Sequence, residues 1–356
     1  MDVKYSFLLP FPVIRLFERF LSRFVVRIGS SKTRSSWLYG PFFINWLIRR
    51  IKPDLIHTME FQHNAYRLYE AKKAFRGKFP KWLATNWGSD IYYYQHDAHH
   101  LIDIRNILRS IDFYSCECER DIAIARGLGM ACESMPVTVN SGGFDLSKTF
   151  SMRNQVSPVD RKVILVKGYQ HFAGRAVTAL HALALVADVI KGYEIVIFSA
   201  SPSTVEASRA LAQKGVLPQC TIVDHSSHDA ILDLHARSRV YIGISRSDAI
   251  STSVLEAMAL GSFPIQTDTS CCDEWIKDGE TGFIVPCSDV NLIADRIRAS
   301  LTDDHLILQA FSLNWLTVAT RLDSTIIRRR VHEIYDKCFD QSSCSLTAGR
   351  SVSNEV

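Results

Sequence analysis

The sequence predicts an α/β protein made of two Rossmann-like units that face a central crevice. Short apolar runs alternate with helical stretches in two separate series, which is the signature of parallel sheets with helices on both faces. A polar, turn-rich segment at 146–160, with Pro158 inside it, divides the two series. The chain of 356 residues, 47% hydrophobic and 22% charged, is long enough for two globular domains of ordinary size.

The first unit is expected over residues 1–145. Its strands are predicted at 52–57, 81–86, 113–115 and 137–140, with helices at 65–75, 101–110 and 120–128 between them. The second unit is expected over 161–312. Strands at 163–166, 193–199, 220–223, 240–244 and 263–267 alternate there with helices at 173–187, 205–214, 229–238, 253–260 and 291–301. Residues 313–340 read as terminal helices, and the Ser-rich segment 341–356 as a disordered tail.

Charge is unevenly spread. The net charge is +4, yet residues 1–52 hold ten Lys or Arg against two acids, so the other residues sum to −4. Residues 11–28 fit an amphipathic helix, with Phe17, Phe20, Leu21, Phe24 and Ile28 on one face and Arg15, Arg19, Arg23 and Arg27 at four-residue spacing beside them. Aromatics flanked by arginines suit a helix lying on an anionic membrane, so residues 11–52 are expected to contact such a surface. The alternative is a core helix with a solvated basic edge. No nucleic-acid partner is expected.

Nine cysteines at scattered spacing give no disulfide framework, and the thiols are expected to be reduced and intracellular. Cys116-Glu117-Cys118 and Cys271-Cys272 lack a partner pair at zinc-ribbon spacing, so no metal site is expected. His96, His99 and His100 with Asp97 are expected on a loop without fixed ligand geometry, and Asp103 and Asp121 as solvated helix charges.

The most informative stretch spans 241–286. A short apolar strand runs into Arg246-Ser247-Asp248-Ala249-Ile250-Ser251-Thr252, and a helix then carries Glu256 on its first turns. This arrangement sets unpaired amides and a positive dipole end beside a carboxylate. Amides suit a diphosphate, and a carboxylate accepts two hydrogen bonds from a vicinal diol. A nucleotide sugar carries both groups.

Asp248 and Glu256 are separated by seven residues, and Ala257-Met258-Ala259-Leu260-Gly261 follows. Downstream, Asp278-Gly279-Glu280-Thr281-Gly282-Phe283-Ile284-Val285-Pro286 has an acidic-Gly-x-x-Gly-x-x-x-Pro pattern. With these motifs the chain resembles the retaining GT-B glycosyltransferases of family four, also called glycosyl transferases group 1, of the polysaccharide-biosynthesis type. The resemblance implies that Glu256 binds the nucleotide ribose. Asp248 stands where the family usually has Glu and would contact the donor sugar near the reacting carbon. Ala249, Ile250, Ser251 and Thr252 would line the diphosphate, with Gly168 and His225 also on the donor. Lys167 and Arg175 would form a cationic clamp for the leaving diphosphate, though the family has Arg before Lys at shorter spacing. Asp90 would bind or orient the acceptor hydroxyl, or cap a helix. Trp87 fills the position of the family's His and would stack on a sugar, and His57 is a weaker crevice candidate.

The resemblance also implies a strand and a Gly-rich loop before the basic helix. The chain opens with what reads as the second strand, so the N-terminal domain is expected to lack its first. The implied activity is sugar transfer with retention from a nucleotide diphosphate sugar to a glycan or lipid-linked acceptor, in cell-surface polysaccharide or lipopolysaccharide synthesis. No cofactor or metal is expected, and the location implied is cytoplasmic, peripheral at the inner face of the plasma membrane. The alternatives are a nucleotide-sugar-binding protein of this fold without transfer activity, or a sugar epimerase or phosphorylase.

Overall fold

A computed structural model describes residues 40–223 and 226–340. The helix expected at 11–28, the opening strand in question, His225 and the tail at 341–356 lie outside the described residues.

The first unit holds α1 (Pro41–Ile51), β1 (Leu55–Met59), α2 (Tyr66–Ala74), β2 (Lys81–Thr85), α3 (Ser89–Tyr92), α4 (Ala98–Leu108), β3 (Phe113–Ser115) and α5 (Glu119–Gly127). Its three described strands are parallel in the order β1-β2-β3. Trp82 on the central strand and Tyr114 on β3 are fully buried, and Trp82 Nε1 donates to Thr58 Oγ1 at 2.9 Å. The strand expected at 137–140 does not form. Met135 N bonds Tyr114 O, but the next bond, to Cys116 O, comes from Thr138 N rather than Val137 N, so the two-residue strand spacing is lost. Asp97 caps α4 by accepting from the His99 and His100 amides, so the histidine cluster sits on a helix start rather than a loop.

The linker expected at 146–160 contains a helix, α6 (Leu146–Arg153). Asp145 caps it through Lys148 N at 3.0 Å, and the buried Arg153 donates to Phe311 O while its guanidinium lies 3.7 Å over the Phe311 ring. Polar residues hid this helix because its inward face is built from Thr149 and Arg153 rather than aliphatic side chains.

The second unit comprises β4 (Val163–Lys167), α7 (Ala176–Leu185), β5 (Glu194–Phe198), α8 (Pro202–Gln213), β6 (Thr221–Val223), α9 (His228–Arg237), β7 (Ser238–Gly243), α10 (Thr252–Leu260), β8 (Phe263–Thr267), β9 (Phe283–Val285) and α11 (Val290–Thr302). Its six strands pair in parallel in the order β6-β5-β4-β7-β8-β9. This is the doubly wound order, and the chain reverses its direction of travel between β4 and β7. Near-continuous apolar runs such as Val163-Ile164-Leu165-Val166 fit strands covered on both faces. β9 was not foreseen, because three residues inside a glycine-containing motif carry too little pattern. α7 starts later than expected, since Gly174 and Arg175 are drawn into bridges with Ser245 and Gln170.

Two long helices finish the described chain, α12 (Asp304–Arg321) and α13 (Ser324–Phe339). The boundary expected at 312 therefore falls inside α12. α13 packs against the first sheet: Ile334 and Cys338 join Leu83 and Met135 in one apolar cluster, and Lys81 Nζ donates to Cys338 O at 2.8 Å. The turn into α13 is pinned where Phe144 N donates to Leu322 O at 2.7 Å and Ser324 N to Phe144 O at 2.9 Å. A Cβ on Gly143, whose φ is +76°, would lie 2.7 Å from Leu322 O, so the close approach and the left-handed backbone both require glycine. Among the described residues, no helix is long and apolar enough to cross a membrane.

Candidate active site

The β4–β7 switch point opens on the crevice between the two units, where doubly wound sheets bind ligands. Two adjoining cavities occupy it, of about 190 and 610 Å³. They share Ser89 from the first unit and Lys167, Tyr169, Asp248 and Ser251 from the second. The larger volume falls within the usual range for small-ligand sites.

On the second-unit side, Lys167 ends β4 and donates through Nζ to Ser251 Oγ at 2.9 Å. Ser251 precedes α10 in an extended conformation. The first turn of α10 has no acid, and its first bond inside the turn runs from Val254 N to Ser251 O. The amides of Thr252 and Ser253 thus come before the helix begins to satisfy its own donors, and both residues line the larger cavity with Ile250. One fixed ammonium, a helix N-terminus and the three hydroxyl residues Ser251, Thr252 and Ser253 meet here.

Asp248 lines both cavities, and its Oδ1 accepts from Ala249 N at 3.0 Å. Its backbone carbonyl is held from the other unit by Arg120, whose NH2 group donates at 2.8 Å. Arg120 also donates to Thr269 O at 3.1 Å and Asp121 Oδ1 at 2.9 Å, with its guanidinium 3.8 Å over the Tyr92 ring. Asp121 is therefore no solvated charge: it is fully buried, and Asn86 Nδ2 donates to its other oxygen at 2.6 Å. Gly88 abuts the same loop with φ at +27°, and a Cβ there would lie 2.9 Å from both Ala249 N and Asp248 Oδ1. Ser247 Oγ donates to Ser89 Oγ at 2.9 Å across the same contact.

The first-unit side is acidic and aromatic. Asp90 is buried and lines the larger cavity, accepting through Oδ2 from Trp87 N at 2.7 Å and Phe61 N at 3.1 Å. Burial pushes its carboxyl up to about 8. Glu117 lines the same cavity, accepts from Asn140 N at 2.8 Å, and is pushed by burial to about 7. Trp87 is half exposed at this wall. The sequence showed Glu117 only as the residue between two cysteines, and its raised pKa depends on folding.

Other expected residues stand apart. Arg175 lines neither cavity; its NH1 group donates to His171 O and Gly174 O. Gly168 bonds the end of β5 through Phe198 O and lines neither, and Ala249 packs away from both against Cys118 and Cys271. His57 bonds Thr85 Oγ1 at 2.6 Å and Tyr335 OH at 2.9 Å, and burial lowers its pKa to about 4. It joins α13 to the first sheet rather than facing the crevice. His171, which was not singled out, does line the smaller cavity. Its Nδ1 accepts from the Ala173 amide at 3.1 Å, so the ring carries its proton on Nε2, and burial with nearby Lys167 and Arg175 lowers its pKa.

Glu256 is buried one turn into α10, below the cavity lining. His228 Nε2 contacts its Oε1 at 2.7 Å, and His235 Nε2 lies 3.5 Å from Oε2. Burial pushes this carboxyl up, but the hydrogen bonds and charge of His235 and His228 outweigh it and hold the group below its usual range.

No curated protein matches the chain in sequence. Solved structures do resemble it in shape. The sucrose-phosphate synthase of Thermosynechococcus elongatus superposes with a TM-score of 0.68 at 19% identity, over 85% of this chain and 79% of that one. Anabaena HepE in complex with UDP and glucose gives 0.67 at 16% identity, over 90% and 89%. A glycosyltransferase from Rickettsia africae gives 0.61 at 18% identity, over 88% and 85%. The family described as "Glycosyl transferases group 1" matches residues 147–311, and "Glycosyl transferase 4-like" matches residues 18–112. The doubly wound second unit, the crevice at its switch point and both family matches place this chain in the GT-B glycosyltransferases of group 1.

Proposed function

We propose that the protein transfers a sugar from a nucleoside diphosphate sugar to a glycan or lipid-linked acceptor with retention of configuration. The observation that carries this reading is the meeting of Lys167, Ser251 and the acid-free N-terminus of α10 in one cavity wall. That wall supplies positive potential and amide donors where a departing diphosphate gains charge. The HepE structure with bound UDP and glucose supports uridine as the base.

In this scheme the diphosphate rests on the Thr252 and Ser253 amides with Lys167 as its cation. The ribose hydroxyls replace His228 at Glu256, whose other oxygen stays beside His235. Asp248 takes a hydroxyl of the donor sugar. The acceptor enters from the Trp87–Asp90 side, where the ring of Trp87 stacks on a sugar face. Its hydroxyl attacks the anomeric carbon as the C–O bond to the diphosphate breaks on the same face, and the leaving phosphate oxygen takes the proton. Asp90 is protonated at neutral pH and holds the acceptor by donating a hydrogen bond. The chemistry assigned to Lys167 and α10 asks nothing of a metal ion.

The outward face of α1 favours work at a membrane. Phe42 is 87% and Trp46 57% exposed, with Arg49 and Arg50 exposed in the last turn, while Asn45 and Ile48 face inward. We place the protein at the cytoplasmic surface of an anionic membrane, in cell-surface polysaccharide or lipopolysaccharide synthesis. Sedimentation with phosphatidylglycerol vesicles is expected to retain the full chain, and Phe42→Ser/Trp46→Ser to release it; equal retention removes α1 from the contact. For the reaction, UDP-, GDP- and ADP-sugars are compared by thermal shift, with stabilisation expected for the UDP-sugars. Proton NMR of the product then reads the anomeric configuration, and an inverted product refutes retention.

A further inference from the structure

Two thiols distant in sequence meet where the units touch, behind the Asp248 loop. Cys118 immediately precedes α5 in the first unit, and Cys271 follows Ser270, which bridges to Asp248, in the second. Cys118 Sγ, Cys271 Sγ and a carboxylate oxygen of Asp121 lie within 4.8 Å of one another, and all three residues are buried. Ala249 closes the apolar shell around the two thiols. Their sequence neighbours point elsewhere: Cys116 Sγ donates to Cys118 O at 3.2 Å, and Cys272 Sγ to Thr267 O at 3.2 Å.

A metal centre fits this cluster poorly. Both Asp121 oxygens are already occupied by Arg120 Nε and Asn86 Nδ2, and the guanidinium places a positive charge beside any cation. Two sulfurs alone leave a tetrahedral set incomplete. A disulfide needs only the two sulfurs. We propose that Cys118 and Cys271 form a reversible disulfide in response to peroxide, fastening the two units across the crevice.

The surrounding contacts show what such a bond would fix. Glu119 N donates to Glu274 Oε1 at 2.9 Å, and Arg120 spans to Thr269 O and Asp248 O. These are the non-covalent ties that part if the crevice opens to exchange ligands. The neighbouring Cys271 and burial hold the Cys118 thiol well above its ordinary range, so it is unreactive while the units are in contact. Oxidation therefore starts from the opened crevice. The Cys271 thiolate attacks one peroxide oxygen, the O–O bond breaks, and a sulfenic acid and one water result. The Cys118 thiolate then attacks that sulfur, the S–O bond breaks, and a second water leaves. Two thiols lose two protons and two electrons, and one peroxide becomes two waters. A small-molecule dithiol reverses the bond by exchange.

The test uses the full chain and does not depend on the donor assigned above. The protein is treated with hydrogen peroxide, its free thiols are alkylated, and it is digested without reductant for mass spectrometry. A peptide linking Cys118 to Cys271 is expected, removed by dithiothreitol and absent in Cys271→Ser. Hydrogen–deuterium exchange over 118–121 and 269–274 is expected to slow at least tenfold in the linked protein. Alkylation of both thiols after peroxide overturns the proposal, as does linkage of Cys118 to Cys116 instead. A linked peptide with unchanged exchange overturns the fastening role. One equivalent of zinc retained by the untreated chain through dialysis, and lost in Cys271→Ser, replaces the disulfide with a metal centre.

Discussion

The two walls of the crevice are built from opposite chemistry. The second-unit wall has Lys167, the Ser251 hydroxyl and a helix N-terminus without acids. The first-unit wall has two carboxyls with raised pKa values, Asp90 and Glu117, beside a half-exposed Trp87. One wall is suited to charge leaving as phosphate. The other, where burial raises the pKa of two carboxyls, disfavours added negative charge. The contrast teaches that the two walls differ in electrostatics: a cation and amide donors on one, carboxyls and an aromatic ring on the other.

Mutations on the two walls should differ in kind. Lys167→Ala is expected to have the largest effect, lowering kcat roughly 100-fold, the usual loss for one preorganised group on a developing anion. Steady-state assays with saturating donor read it, and a change confined to KM would assign Lys167 to ground-state binding. Glu256→Ala is expected to weaken donor binding at least tenfold by calorimetry, since a buried two-oxygen acceptor is lost. Arg120→Ala is expected to lower kcat about tenfold while KM moves little, because Arg120 holds the Asp248 carbonyl without lining either cavity. Arg120→Lys should recover part of that loss; a purely structural role would instead move the melting temperature alone. Arg175→Ala is expected to change kcat less than threefold, because Arg175 lines neither cavity and its NH1 group is held by the His171 and Gly174 carbonyls.

A separate prediction concerns pH and stability. Asp90 has a folded pKa of about 8, above its unfolded value, so folding stabilises its protonated form. That contribution is complete below pH 4 and is lost as pH rises towards 8. Asp90→Asn keeps an acceptor for the Trp87 and Phe61 amides and cannot ionise. Denaturant titrations from pH 5 to 9 should show a shallower decline in the variant, and parallel declines would refute the raised pKa.

Legibility in the sequence follows the same division. The second unit was readable because parallel strands buried on both faces are continuous apolar runs, and because Asp248, Glu256 and the glycine motif lie on one stretch of chain. Expected and observed strands differ there by a residue or two, apart from the short β9. In the first unit the site depends on groups brought together from separate segments. Glu117 acquires its raised pKa only through burial in the folded chain, which outweighs the lowering by its hydrogen bonds to Asn140. Asp121 looked like a surface acid until Asn86 and Arg120 closed over it. Cys118 and Cys271 had no spacing signal because their proximity is tertiary. Arg175 shows another limit of the sequence: its segment is legible, but the sequence does not show that its NH1 group bonds loop carbonyls or that it lines neither cavity.

The most direct test is calorimetric titration of UDP-glucose into three proteins: the wild type, Glu256→Ala and Asp90→Asn. Binding at least tenfold weaker is expected for Glu256→Ala and less than twofold changed for Asp90→Asn, if donor recognition belongs to the second-unit wall. Equal weakening in both variants, or unchanged binding in Glu256→Ala, would contradict the division of the crevice into a donor wall and an acceptor wall.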